Sequence, residues 1–249
     1  MVLEIGVTRM NQHNCAVHDT QTIHRAPAAS ERPAVDIRVV FFTLASGELL
    51  VGRSRDARVP GLPRDVPIPS ESLDITARRI VRERLSIQEQ YMEQLYTLSV
   101  AEPIDGWSVI VAYLALVCSS GEPAGSESIS WSSAADLAWI SDADRHVTDY
   151  AITRLRAKLG YTNIAFHLLP PTFTLTELQH AYEAILRRRV DKRNFRRRMI
   201  ASGILDATDD KRREGSHRPA VLYRFRADLD TASYLTPSWS ESQEGTLPV

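Results

Sequence analysis

Arg193, Asn194, Arg196 and Arg197 fall within five consecutive positions, with Lys192 just before them and Arg198 just after. Guanidinium, ammonium and amide groups at this density suit recognition rather than bond breaking, because they donate hydrogen bonds to phosphate oxygens and to the acceptor edges of bases. Phe195 and Met199 stand one helical turn apart among them. That spacing predicts a helix that buries those two side chains, turns Arg193 and Arg197 outward one turn apart, and sets Arg196 beside them. Asp191 is placed to cap it, and Ser202-Gly203 ends it. A second cluster, Lys211, Arg212 and Arg213, follows in a glycine-containing hairpin, with His217 and Arg218 near the far end before a strand over Ala220–Phe225.

The elements that must position these groups are legible on either side. Thr174 and Glu177 have the spacing of a capping box, and Thr176 lies in the first turn that the box begins. Leu175, Leu178, Tyr182, Ile185 and Leu186 share one face of the helix that follows. Arg187–Arg189 sit at its C-terminal end, where the helix dipole favours cations. Helix, helix, strand, charged hairpin, strand is the order of a winged helix-turn-helix. In that arrangement Thr174, Thr176, Lys192, Arg193, Asn194, Arg196, Arg197, Arg198, Lys211, Arg212, Arg213, His217 and Arg218 are the expected DNA-binding residues, with the second helix in the major groove.

The charge balance agrees. Residues 170–226 hold 14 Lys and Arg against 7 Asp and Glu, whereas the rest of the chain holds 16 against 24, so the net charge of −1 conceals the asymmetry. A compact cationic segment implies an anionic polymer as partner. Double-stranded DNA is the first expectation. RNA is the rival, although the deep, narrow groove of an A-form duplex excludes a recognition helix.

Composition bounds the remainder. A chain of 249 residues with 43% hydrophobic content can bury a substantial core, in one large or two small domains. The longest apolar run, Val109 to Cys118, is about half of what a membrane-spanning helix needs, and no export leader is expected. Cys15 and Cys118 suggest neither a disulfide framework nor a zinc site. The expectation is a cytoplasmic protein with no membrane partner.

Residues 1–33 are polar and aperiodic, an expected flexible extension, and the acidic, Ser- and Thr-rich residues 227–249 read as a tail. Between them lie an expected effector-binding domain, 34–165, and the DNA-binding domain, 166–226. Strands are predicted around Val35–Leu44, Glu48–Arg53, Leu95–Val100 and Trp107–Val117. Helices are predicted from near Ser70 and over Asp144–Leu159. Trp131–Ile140 is ambiguous. Asn163–Leu169 reads as a short strand running into Pro170-Pro171, a linker or hinge.

The stretch from Leu62 to Ile87 resembles the Nudix box, G-x5-E-x7-R-E-U-x-E-E-x-G-U, where U is aliphatic. The first Gly of the pattern falls on Asp65, the first Glu on Glu71 and the Arg on Arg79. The second Glu falls on Ile80, the paired glutamates on Glu83 and Arg84, and the last Gly on Ser86. The resemblance implies that Glu71 and Arg79 pair to brace the loop and helix. It also implies that the three later glutamates bind the divalent metals of a diphosphate hydrolase. Two of those three are replaced here, and a hard cation needs several oxygen ligands. The expectation is therefore no catalytic residue, no metal ligand, no required cofactor and no hydrolase activity. The alternative is an active ADP-ribose hydrolase with a nucleic-acid-binding appendage. A cleft shaped for a nucleoside diphosphate would retain an ADP-ribose-like nucleotide as effector, with Arg53, Arg64, Arg79, Glu83 and Arg84 as candidate contacts.

A Nudix-like mixed-sheet α/β/α sandwich followed by a winged helix, an α+β architecture, resembles the NrtR family, the Nudix-related regulators of NAD metabolism. The resemblance spans roughly residues 34–226 and is most specific at Asp191–Arg197 and Arg218–Phe225. It implies a transcriptional repressor of NAD biosynthesis or salvage genes, a homodimer on a palindromic operator that lets go when ADP-ribose or a related nucleotide binds. Half-sites about 34 Å apart make such a dimer sensitive to geometry, so a small rotation at the Asn163–Pro171 junction would suffice to break register.

Overall fold

The run Val-Val-Phe-Phe at residues 39–42 is apolar on both faces, and a strand with that pattern must be covered on both sides. In the computed structural model, which describes residues 33–55, 61–85, 91–102, 106–118, 127–160, 162–213 and 219–226, this run lies at the centre of the sheet. Strand β1 (Ala34–Ala45) turns Ile37, Val39 and Phe41 to one face and Val40 and Phe42 to the other, all fully buried.

The chain reverses at Ser46-Gly47, both with left-handed φ (52° and 77°), the combination a tight two-residue hairpin requires. Strand β2 (Glu48–Ser54) then returns antiparallel with Phe42 opposite Val51. The two-residue β3 (Arg64–Asp65) pairs with Arg38 and Ile37 of β1. Strands β4 (Tyr91–Glu102) and β5 (Gly106–Leu116) form an antiparallel pair, β5 runs parallel to β1, and β6 (Ile129–Ser133) closes the far side against β2. The order is β4-β5-β1-β2-β6, with β3 also on β1.

Helix α1 (Leu73–Leu85) covers one face through Ala77, Ile80, Val81 and Leu85. Helix α2 (Asp142–Lys158) covers the other through Val147, Ala151, Ile152 and Leu155. This is the expected α/β/α sandwich. Helix α1 begins three residues later than expected because Ser70 adopts φ 76° and Ser72 supplies the cap, accepting from the Ile75 amide at 3.3 Å. Helix α2 begins two residues earlier than expected, at a Ser141 cap that accepts from the Asp144 amide.

The larger correction concerns Asn163–Leu169. It is not a strand but a 3₁₀ helix, Ile164–Leu168, whose Ile164, Ala165 and Leu168 are buried in the core. A short apolar run fits either period, and here tertiary burial decides. Helix α3 (Leu175–Leu186), helix α4 (Lys192–Ala201) and the antiparallel pair β7 (Leu205–Arg212) and β8 (Ala220–Phe225) complete the winged helix. Its interior is continuous with the α2 face of the sheet, so Phe42, Leu155, Phe166, Tyr182 and Phe195 belong to one core. No helix among the described residues is long and apolar enough to cross a membrane.

Candidate nucleic-acid interface and nucleotide-binding face

The second helix of the winged motif is set by what it buries. Phe195 and Met199 are almost fully enclosed, and the Phe195 ring meets Tyr182 of α3 edge-on at 5.2 Å. Asp191 caps α4 by accepting from the Asn194 amide at 2.8 Å. With that face inward, Lys192, Arg193, Asn194, Arg197 and Arg198 are exposed. The outward grouping expected of Arg193 and Arg197 is present. Asn194 Oδ1 accepts from Arg197 Nη2 at 3.0 Å, which orients the guanidinium. Ile200, 57% exposed, stands on the same side three residues further on. The sequence pattern carries this residue at helical spacing from Arg197, and it was not among the expected contacts.

Four expected contacts, Thr174, Thr176, Arg196 and Arg212, are occupied within the motif. Arg196 is half-buried and donates to Thr176 Oγ1 at 2.8 Å, tying α4 to the first turn of α3. Arg212, at the end of β7, donates to Glu177 Oε1 at 2.6 Å. Glu177 also completes the capping box: its Oε2 accepts from the Thr174 amide at 2.7 Å, while Thr174 Oγ1 accepts from the Glu177 amide at 3.1 Å. One carboxylate therefore fastens the start of α3 and the base of the wing together. Lys211 and Arg213 are exposed beside it, and His217 and Arg218 lie outside the described residues.

The turn between the two helices is held by Glu183, whose Oε1 accepts from the Val190 amide at 2.9 Å and from Gln179 Nε2 at 3.1 Å. Burial pushes this carboxyl up, but those bonds and the nearby Arg189 outweigh it and hold the carboxyl below its ordinary range. Arg187 closes α3 in the left-handed conformation, φ 54°. From the sheet side, Arg156 of α2 donates through Nε to the Ile185 carbonyl at 2.8 Å. That satisfies an orphan carbonyl at the C-terminus of α3.

On the opposite face of the sheet, Glu71 and Arg79 form the expected brace. Arg79 donates to both oxygens of Glu71 at 3.1–3.2 Å, to Asp65 Oδ2 at 2.6 Å and to the Val66 carbonyl at 3.1 Å, and Glu83 lies 3.7 Å away. Asp65, at the position where the box has glycine, is thus part of the brace. Arg79 is held above its ordinary pKa, first by Glu71 and then by Asp65. Arg79 in turn lowers Glu71, and it lowers Asp65 against the opposing effect of burial.

Ile80 is a core residue, 1% exposed against the sheet, whereas Glu83 is exposed and Arg84 half-buried. Arg64 lies 3.7 Å from Asp36. Asp36 accepts from the fully buried Arg38, which also donates to Asp144 at 2.8 Å, and Asp144 in turn accepts from the Leu62 amide at 3.0 Å. Burial holds the Asp36 carboxyl above its ordinary range despite Arg38. Arg53 is held separately on β2, its guanidinium 5.3 Å over the Trp139 ring. Arg79, Glu83 and Arg84 thus gather about α1 with Asp65, whereas Arg64 turns with Arg38 and Asp36 to the α2 face and Arg53 stands apart.

Comparison with known proteins supplies the frame for these two surfaces. Residues 165–225 match the NrtR DNA-binding winged helix domain. The ADPR responsive transcriptional repressor NtrR of Acinetobacter baylyi is 35% identical over 207 residues, 78% of this chain and 82% of that protein. Shewanella oneidensis NrtR complexed with a 27mer DNA superposes with a TM-score of 0.69 at 31% identity, covering 81% of this chain and 97% of that one. A MutT/nudix family protein from Enterococcus faecalis superposes with a TM-score of 0.60 over 79% of this chain and 89% of its own, and at 21% identity it shares the fold alone. With a Nudix-like sheet in front, a matched winged helix behind and a relative 35% identical over 82% of its length, the chain belongs to the NrtR family.

Proposed function

We propose that this chain is a transcriptional repressor that grips duplex operator DNA through α4 and the β7–β8 wing and lets go when ADP-ribose or a related nucleotide occupies its Nudix-like part. The observation that carries the reading is the outward face of α4, on which Arg193, Asn194, Arg197 and Arg198 are exposed without an intervening acid. The ADPR responsiveness named for the Acinetobacter relative supports the effector. On this reading the chain divides into an effector-binding domain, 34–165, and a DNA-binding domain, 166–226, flanked by extensions. It acts in the cytoplasm as a homodimer on a palindromic operator beside genes of NAD biosynthesis or salvage.

DNA contact is assigned to Lys192, Arg193, Asn194, Arg197, Arg198, Lys211 and Arg213, with His217 and Arg218 at the wing tip. Thr174, Thr176, Arg196 and Arg212 act beside them, chiefly by holding the helices and wing in place. The effector is assigned to Arg53, Arg64, Glu83 and Arg84, with Arg79 as their anchor. No hydrolase activity accompanies binding: Ile80 fills the core where the box needs a carboxylate, and Arg84 replaces another.

A gel-shift titration with duplex DNA from upstream of NAD-biosynthesis genes, with and without ADP-ribose at fixed salt, tests both halves. A specific shift that ADP-ribose weakens is expected. No sequence-specific shift refutes the DNA assignment, and a shift indifferent to ADP-ribose refutes the effector. Incubation of the protein with ADP-ribose and Mg²⁺ or Mn²⁺ is expected to release no AMP.

A further inference from the structure

The exposed face of α4 carries one residue that phosphate binding does not explain. Ile200 is 57% exposed and shares the side of Arg193 and Arg197, seven and three residues away. An isolated surface isoleucine is ordinary elsewhere. Here it is β-branched, at the end of a helix whose other solvent-facing residues are mostly cations, and on the surface assigned to the major groove. The one apolar group that the major groove offers is the thymine C5 methyl.

Beside it, Arg197 is held by Asn194. The Asn194 Oδ1 accepts from Arg197 Nη2 at 3.0 Å. An asparagine reads adenine by accepting and donating together, and here one of the two lone pairs of Asn194 Oδ1 is already given to Arg197. A guanidinium has five N–H donors, so Arg197 keeps four, and an adjacent parallel pair of them suits the O6 and N7 acceptors of guanine.

We propose that Arg197, oriented by Asn194, reads a guanine and that Ile200 reads a thymine methyl in each half-site. Three residues of helix advance by roughly 4.5 Å, and base pairs are spaced by about 3.4 Å. The guanine and the thymine therefore occupy adjacent or next-but-one base pairs. This inference rests on the DNA-binding reading above and specifies what that surface recognises.

The test begins with selection of a preferred duplex by the full chain. Each thymine of that duplex is then replaced by deoxyuridine, which lacks only the methyl, and each guanine by 7-deazaguanine, which lacks only the N7 acceptor. One thymine per half-site should weaken binding by about fourfold on losing its methyl, the worth of one buried CH₂. Ile200→Ser should be insensitive to that replacement. Within two base pairs, one guanine should matter to the parent protein and not to Arg197→Ala, and Asn194→Ala should weaken the same guanine preference. If the parent protein selects a site but tolerates deoxyuridine at every thymine, or if Ile200→Ser loses affinity equally for both duplexes, the proposal is wrong. If the parent protein selects no sequence at all, the DNA-binding reading fails instead, and the two failures are distinct.

Discussion

A guanidinium shared among carboxylates behaves differently from one left open for a phosphate, and Arg79 is of the first kind. Asp65 and Glu71 both titrate below their ordinary values because of it. A carboxyl with a depressed folded pKa contributes stability that is complete above its unfolded value and lost as pH falls through the folded one. The urea midpoint should therefore fall as pH drops from about 5 toward 3. Arg79→Leu should lower the midpoint at neutral pH and flatten that dependence, which denaturation at a series of pH values measures. Ile80 gives a second expectation. Restoring the lost acid as Ile80→Glu should not rebuild a metal site but should destabilise the fold by at least the ~2–5 kcal/mol of emptying a buried isoleucine position, because the carboxyl enters an apolar core. The Glu71–Arg79 pair was legible in the sequence through the resemblance to the Nudix box. The part played by Asp65 was not, since it stands at a position of the box that calls for glycine and its partner is 14 residues distant.

At the level of elements, the capping box at Thr174 and the Asp191 cap could be read directly, because caps depend on neighbours within three residues. What local pattern does not carry is the use made of Glu177 by the wing, 35 residues away. That contact divides the arginines into those that hold the motif and those that face outward. Arg193→Ala should lower the slope of log affinity against log salt by about one, the signature of one phosphate contact removed. Arg212→Ala should weaken binding while leaving that slope close to the parent value, since its charge is already paired with Glu177. Fluorescence titrations at several salt concentrations separate the two. The segment 163–169 escaped the sequence reading for a related reason: its apolar residues are explained only by the core they enter.

Across the whole molecule, the junction at which a small rotation was expected is packed. Phe166 of the 3₁₀ helix stacks on Phe225 of β8 at 4.6 Å and lies 5.5 Å from Phe173. Any signal from the sheet to the winged helix must therefore travel through packed and hydrogen-bonded contacts rather than by a loose rotation. The Arg156–Ile185 bond is one such contact, joining α2 to the end of α3. Arg156→Met keeps the stem and removes the donor. It should leave ADP-ribose affinity and DNA affinity nearly unchanged while shrinking the coupling between them below the ~1–3 kcal/mol typical of allosteric pairs. Paired titrations of each ligand in the presence of the other measure that coupling.

The continuous core has a further consequence for how such a protein changes over generations. A DNA-reading module joined by a loose tether can be exchanged between genes as a unit, like a tool on a common handle. Here Leu168, Phe173, Leu178 and Phe166 share their packing with Phe42, Leu49 and Leu155 of the sheet and α2. A transplanted head would arrive without its socket, exposing apolar surface at the cut. Reader and sensor must therefore drift together, each substitution at the seam admissible only with its counterpart.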